Sequence, residues 1–295
     1  MMDYRLLESL AAVISEQSFE QAAKKLSVTQ SAISQRIKQL EDDIGQLLLI
    51  RSSPLQATEK GKALLRHHQQ VKALESSLRT ELEGSPVEEF QTISIAVNHD
   101  SLEYWVLDAI SPMLKKHAII LNVYVDDQDE TMSFLRSGEA FACISSSNAP
   151  LHGCNAIDIG EMSYHCVCTP DFKERYLKKE ITKRTLIRAP GIVFSVRDDI
   201  HMEYFGQLFK SRPPLALTHI VPSTEGLKKL VLSGLAYGLL PWRIINKYVE
   251  RGQLVDLFPK KTMKVPLYWH HWRLNMGMHT LLSDAVISYA KQHRL

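Results

Sequence analysis

Three observations predict an α/β protein with an all-helical amino-terminal part. The chain has 295 residues, too many for one ordinary domain. Up to Glu83 the apolar residues recur at helical spacing, with few glycines and a single proline. Beyond Phe90 short apolar runs alternate with helical segments, the rhythm of a parallel sheet with helices on both faces. Hydrophobic residues at 45% and charged residues at 23% exclude a disordered chain or a fibrous repeat.

No apolar run approaches the roughly 18 residues of a membrane span. The nearest, Leu227 to Trp242, is broken by Lys228, Lys229 and Pro241. Asp3 stands where an export signal has basic residues, so no export is expected. The four cysteines lie between Cys143 and Cys168, too few and too clustered for a disulfide scaffold. A soluble cytoplasmic protein is the expectation. The net charge of +2 says little about partners. Through Thr58 the basic residues are Arg5, Lys24, Lys25, Arg36, Lys38 and Arg51, against seven acids. Bulk charge therefore does not mark this segment as a nucleic-acid binder, and placement must decide.

The first helix is expected on Leu6, Leu7, Leu10, Val13 and Ile14, one apolar face. Ser18 is placed to cap a short second helix whose Ala22 and Ala23 let another helix cross closely. Thr29 caps a third, from Gln30 to about Asp43, stopped near Gly45. Its apolar stripe is Ile33, Ile37, Leu40 and Ile44, and the opposite face carries Ser31, Ser34, Gln35 and Lys38. A polar row on the second of two helices joined by a short turn fits a helix-turn-helix, although such a face alone also fits plain solvation. Short polar side chains let a helix sit deep in a major groove, and Gln35 can both donate to and accept from a base edge. Leu47 to Arg51 reads as a short strand, Ser52 to Gln56 as a turn, and Thr58 as the cap of the next helix. Together these make a winged helix-turn-helix, with Arg51 placed to reach a backbone or a minor groove.

The string S-F-E-Q-A-A-K-K-L-S-V-T-Q-S-A-I-S-Q-R-I-K-Q-L-E, followed by I-G-Q-L-L-L-I-R and T-E-K-G, resembles the DNA-binding domain of LysR-type transcriptional regulators over about residues 3 to 65. The resemblance implies that Gln30, Ser31, Ser34 and Gln35 face the groove and that Thr29 and Arg51 approach phosphates, with Lys38 further along the same face. Many members carry an arginine in the wing where this chain has Pro54 and Leu55, so a weaker wing contact is expected.

From Glu59 to Glu83 Leu64, Val71 and Leu78 fall seven apart with Leu74 between, which fits a short coiled-coil seam interrupted by His67 and Glu81, or a helix packed on its own domain. In the resembled family this is a linker helix that pairs two subunits, usually assembling to tetramers on a pseudo-palindromic operator. Gly84-Ser85-Pro86 ends it. The expected division is 1–58 for the DNA-binding domain, 59–87 for the linker helix and hinge, and 88–295 for an effector domain. The resemblance implies that the last is periplasmic-binding-protein-like (type 2), with subdomain I at 91–162 plus 268–295 and subdomain II at 163–267. Crossings are placed near Ser163 and near Pro266 to Tyr268.

Ligands in such folds lie beyond strand carboxyl ends, beside helix N-termini. That rule selects Asn98, Asp100 and Ser101 after the first strand, Ser145 and Ser146 after the Cys143 strand, Asp198 and Asp199, and Ser223. Each of these is also an ordinary cap or turn residue, and the two aspartates serve equally as a helix cap. The strings A-V-N-H-D-S-L-E-Y-W, F-S-V-R-D-D-I-H-M and L-Y-W-H resemble the ArgP/LysG branch, whose members respond to lysine and arginine. The resemblance implies a small effector, a basic amino acid, that brings the two subdomains together, and RNA polymerase as a partner if the protein activates. Glu103-Tyr104 and the H-H-W-R stretch after Trp269 depart from that pattern. Cys143, Cys154, Cys166, Cys168, His152 and His165 lack zinc spacing and read as small buried groups, so no metal or cofactor is expected. No P-loop, nucleophile elbow or zincin motif is present, which argues against an enzyme. The competing expectation is an architectural or replication-modulating DNA-binding protein without an effector, relying on DNA shape.

Overall fold

The computed structural model describes residues 2–83, 90–127, 130–178, 181–195, 199–210, 217–274 and 277–293. The chain divides into two compact units: Met1–Val97 with Ile110–Ile157 and Trp269–Ile287, and Asn98–Ala109 with Asp158–Tyr268 and Ser288–Leu295.

The first unit begins with α1 (Tyr4–Glu16), α2 (Phe19–Lys25) and α3 (Gln30–Ile44). Each starts where a short side chain replaces a missing helical partner: Asp3 accepts from the Arg5 amide, Ser18 from Gln21 and Thr29 from Ala32. Ser18 and Thr29 are the caps that the sequence predicts. Leu7, Leu10, Val13, Ala22, Ile33 and Ile37 form the buried core of this bundle. The wing is shorter than the run of apolar residues suggests. β1 (Leu49–Ile50) pairs antiparallel with β2 (Gln56–Ala57), because Leu48 turns into the core and Leu47 is left exposed.

Thr58 fixes the joint between the wing and α4 (Glu59–Glu83). Its hydroxyl donates to Leu47 O at 2.9 Å and accepts from the Gly61 amide at 3.1 Å. A Cβ at Gly61 would meet Leu48 O at 2.3 Å, so only glycine lets the helix pass the strand this closely. At 25 residues α4 is about 37 Å long. Leu64 packs into the winged-helix core, Val71 is half-buried, and Leu74 and Leu78 are exposed. The start of the predicted seam thus serves the helix's own domain, and its later leucines remain free-facing.

The rest of the first unit is α/β. β3 (Gln91–Val97) lies parallel to β4 (Ile119–Val125) and to β5 (Ala142–Ser145), in the order β4-β3-β5 followed by β11 (Met263–Trp272). The helix expected after β3 starts two residues early. It runs as α5 (His99–Ser101), a π-helical turn (Leu102–Val106) and α6 (Leu107–Leu114), of which residues 98–109 belong to the second unit. α7 (Met132–Ser137) ends at Gly138, where φ is +84° and a Cβ would stand 2.5 Å from the Arg66 Cα of α4. The Arg66 guanidinium donates to Arg136 O at 3.2 Å at the same place, satisfying a helix-end carbonyl.

The second unit holds β6 (Cys154–Cys168, entering from the first unit), β7 (Gly191–Val193), β8 (Thr218–Ile220) and β9 (Tyr237–Pro241). The order there is β11-β6-β9-β7-β8, and β10 (Val255–Asp256) pairs with β6. Its further helices include α8 (Pro170–Phe172), α9 (Lys183–Arg188), α10 (Asp199–Phe209), α11 (Thr224–Leu232) and α12 (Trp242–Glu250). They cover a core of Val167, Ile192, Val231, Leu240 and Ile245. α13 (Gly277–His293) closes the chain. Among the described residues no helix is long and apolar enough to cross a membrane.

Two glycines with similar left-handed backbone separate strain from close approach. Gly252 has φ +70° and nothing within 4 Å of an added Cβ, whereas Gly138 also meets Arg66. Gly252→Ala is expected to cost about 1 kcal/mol from strain alone. Gly138→Ala should cost clearly more, read as a larger fall in Tm. Equal falls would show that α4 does not hold its contact with the α7 terminus.

Candidate functional site

The first candidate surface is the outer face of α3. Gln30, Ser31, Ser34, Gln35 and Lys38 are all exposed on it, while Ile33, Ile37 and Leu40 are buried. Thr29 is exposed and its hydroxyl is occupied in capping. Arg51 is exposed at the wing with its guanidinium 5.8 Å from the Phe19 ring centroid, a cation–π contact that orients it. Arg36, on the same helix, turns back and donates to Ser9 Oγ at 3.4 Å.

Two residues outside the predicted set hold this surface in place. The Glu41 carboxylate accepts from the Leu48 amide at 2.8 Å and the Leu49 amide at 3.4 Å, tying α3 to the wing. An acid that would oppose a phosphate is thereby directed to the protein's own backbone. Gln17 donates from Nε2 to Ile14 O at 2.8 Å and Leu55 O at 3.1 Å, tying the end of α1 to the other side of the wing.

The second candidate site is in the second unit, where the chain leaves β3. Asn98 and Ser101 are buried, at 4% and 0% exposure, and among the described residues neither Asn98 Oδ1 nor Ser101 Oγ has a hydrogen-bond partner. Buried polar atoms are nearly always paired, so two orphans one helical turn apart single this turn out as a candidate site. Between them Asp100 accepts from the Tyr164 hydroxyl at 2.5 Å and from the Thr224 hydroxyl at 2.9 Å. The His99 ring lies 4.4 Å from Phe194, centroid to centroid, and supplies an aromatic wall. The Glu103 carboxyl is held above its usual range by burial, and the nearby Asp100 and Glu225 carboxylates push it further up. Burial also pushes the Tyr104 hydroxyl up, with the same acids adding to it. Glu225 is ion-paired with Lys228, which leaves Asp100 and Glu103 as the carboxyls that favour a cation here.

The other predicted positions fall out differently. Ser223 caps α11, accepting from the Gly226 amide at 3.1 Å, so its hydroxyl has a structural task. Ser145 and Ser146 belong to the first unit, where Ser145 Oγ accepts from the Ser147 amide at 3.3 Å. The His270 ring contacts Ser147 O at 2.7 Å and steadies that turn. Asp198 lies outside the described residues; Asp199 opens α10, and its side chain lies outside them as well. Tyr164, Thr224 and Glu103 are the site residues that sequence reasoning missed. Thr224 stands beside the selected Ser223, but Tyr164 reaches Asp100 across 64 residues and leaves no local signal.

The cysteines are all buried and free. Burial pushes the Cys168 thiol up to about 12 and raises Cys143, Cys154 and Cys166 as well, so they pack as small apolar groups. His165 contacts Asp256 at 2.7 Å and stacks near Trp242, which pins β10 to β6. Among the described residues no cluster of three metal-ligating side chains occurs.

Asp100 is the residue that fixes the segment 98–109 in the second unit, and its removal tests this. Asp100→Asn weakens two charge-assisted hydrogen bonds, at about 1.5–3 kcal/mol each. Amide hydrogen exchange over 99–109 is expected to accelerate about tenfold or more. Tyr164→Phe and Thr224→Val should each give a smaller acceleration of the same amides. Unchanged protection in Asp100→Asn would remove its anchoring role.

Known proteins match along nearly the whole chain. Residues 4–62 match the family of bacterial regulatory helix-turn-helix proteins of lysR type, and residues 88–286 match the LysR substrate binding domain. The HTH-type transcriptional regulator ArgP of Aeromonas salmonicida is 42% identical over 291 residues, covering 99% of this chain and 97% of its own. The ArgP of Pseudomonas fluorescens is 37% identical over 297 residues, covering 99% and 97%. Among solved structures, ArgP from Mycobacterium tuberculosis is similar with a TM-score of 0.89, 34% identity and 98% of both chains covered. Full-length LysG from Corynebacterium glutamicum, solved with its effector arginine bound, is similar with a TM-score of 0.83 and 29% identity over 99% of both chains. The chain belongs to the LysR family of transcriptional regulators.

Proposed function

We propose that this regulator reads a pseudo-palindromic operator with α3 and changes its grip on DNA when a basic amino acid, arginine or lysine, occupies the site at Asn98–Ser101. The single observation that carries the effector half is the pair of buried, unpartnered atoms, Asn98 Oδ1 and Ser101 Oγ, beside the Asp100 and Glu103 carboxyls. The orphans suit the carboxylate and ammonium of an amino acid, and Glu103, near Asp100, suits a cationic side chain. The arginine bound to the similar LysG supports the same ligand class.

The work divides as 1–58 for DNA, 59–87 for dimerisation and 88–295 for the effector, in a cytoplasmic protein. Gln30, Ser31, Ser34 and Gln35 contact base edges; Thr29, Lys38 and Arg51 contact phosphates. Leu74 and Leu78 are exposed on α4 and form the pairing stripe of a dimer, which assembles further to a tetramer. Where the protein activates, RNA polymerase is its partner. The effector shifts DNA binding only as far as it prefers one state, tenfold for each 1.4 kcal/mol of difference.

Nuclease footprinting of the full chain tests both halves. A two-fold site whose protected boundary changes with arginine or lysine is expected. Ser34→Ala with Gln35→Ala should weaken specific binding about a hundredfold, from about 1–3 kcal/mol of discrimination at each lost contact. A footprint indifferent to both amino acids would favour an architectural DNA-binding role. Unchanged sequence discrimination in the double variant would sink α3 as the reader.

A further inference from the structure

The first unit holds a buried histidine for which neither the DNA-reading face nor the effector site has a use. His68 lies on α4 with 4% of its surface exposed, and among the described residues neither ring nitrogen has a hydrogen-bond partner. A neutral imidazole carries one donor and one acceptor, so an interior position that serves neither is unusual.

The position is an interface between two helices. Leu64 and Leu65, one turn earlier, pack into the winged-helix core, which puts His68 on the α1 side of α4. His67 beside it meets the Tyr4 hydroxyl of α1 at 3.1 Å, and Lys72, one turn later, pairs with Glu8 of α1 at 3.9 Å. The contact with α7 is made at Arg66, two residues earlier and about 200° round the helix. His68 therefore closes the seam between α1 and α4. Few charged groups surround its ring: Glu8 faces it from α1, and His67, Lys72 and Glu75 from α4 itself. Burial holds the imidazole below its ordinary range; Lys72 adds to that effect, and Glu8 and Glu75 act against it.

We propose that His68 is an acid-sensitive latch, which on taking up a proton releases α4 from α1. In the closed seam the imidazolium has no acceptor, and the Glu8 carboxylate is shared with Lys72; in the open seam water solvates it. Protonation thus favours the open state. The seam is at full strength above about pH 6.5, where an exposed imidazole is neutral too, and weakens as the pH falls below that value. On the reading of α4 as the linker helix, release uncouples the DNA-reading domain from the helix that pairs the subunits.

Amide hydrogen exchange of the full chain over residues 62–75, corrected for the intrinsic rate at each pH, tests the latch. A helical segment of this length is short-lived once undocked, so its amides read the opening. Opening is expected to rise by up to about tenfold from about pH 7.5 to about pH 5.5, the most that one imidazole titrating at about 6.5 in the open state gives. His68→Gln and His68→Leu stay neutral and should lose that rise, whatever their absolute stability. His67→Gln should keep it. The proposal is overturned by no rise in the parent, by a rise that persists in either neutral His68 variant, or by its loss in His67→Gln.

Discussion

The Asp100 carboxylate is the interaction on which the second unit's chemistry depends. Two hydroxyls donate to it, one from Tyr164 on β6 and one from Thr224 at the first turn of α11. Two such bonds offset the cost of half-burying a carboxylate and fix the direction in which the helix after β3 sets out. Asn98 and Ser101, one turn apart around that anchor, are then held with their polar atoms unpartnered. The π-helical turn at Leu102–Val106 follows at once, a feature that recurs at functional sites. It places Glu103 where burial and two neighbouring acids act on its carboxyl.

The DNA-reading half follows the same economy with different parts. An exposed polar face reads a groove only if the helix behind it is rigid, and α3 is held at both ends. Thr29 caps its start, and Glu41 near its end grips the wing through two backbone amides. Thr58 and Gly61 lock the wing to α4, so α3, the wing and α4 form one connected structure. Lys38, Gln35 and Ser34 remain exposed at its surface.

Local chemistry made much of this legible in the sequence. Ser18, Thr29 and Thr58 were readable as caps because a cap needs only a short oxygen-bearing side chain before an apolar period. The stripe of Ile33, Ile37 and Leu40 is enough to set α3 and its outer face. Partners distant in sequence were not readable. Tyr164 and Thr224 meet Asp100 only through the sheet, and Glu41 looked like one more acid in a far-end cluster. Leu64 fell on the heptad spacing yet packs into its own domain, because a repeating leucine does not say which neighbour it faces. The Ser223 hydroxyl caps α11, one of the two tasks that the sequence leaves open for it, since a cap and a ligand group ask for the same hydroxyl in the same place. The π-helical turn at Leu102–Val106 leaves no mark in hydrophobic periodicity.

The central claim is that Asn98, Asp100 and Ser101 form the effector site. Calorimetric titration of the full chain with arginine, lysine and histidine tests it most directly, with Ser101→Ala and Asp100→Asn run alongside. Micromolar binding of arginine or lysine, with histidine weaker, is the predicted result. Each variant should then lose about tenfold or more in affinity, the scale of one charge-assisted hydrogen bond. Silence with all three amino acids, or the same affinity in both variants as in the parent, would contradict it.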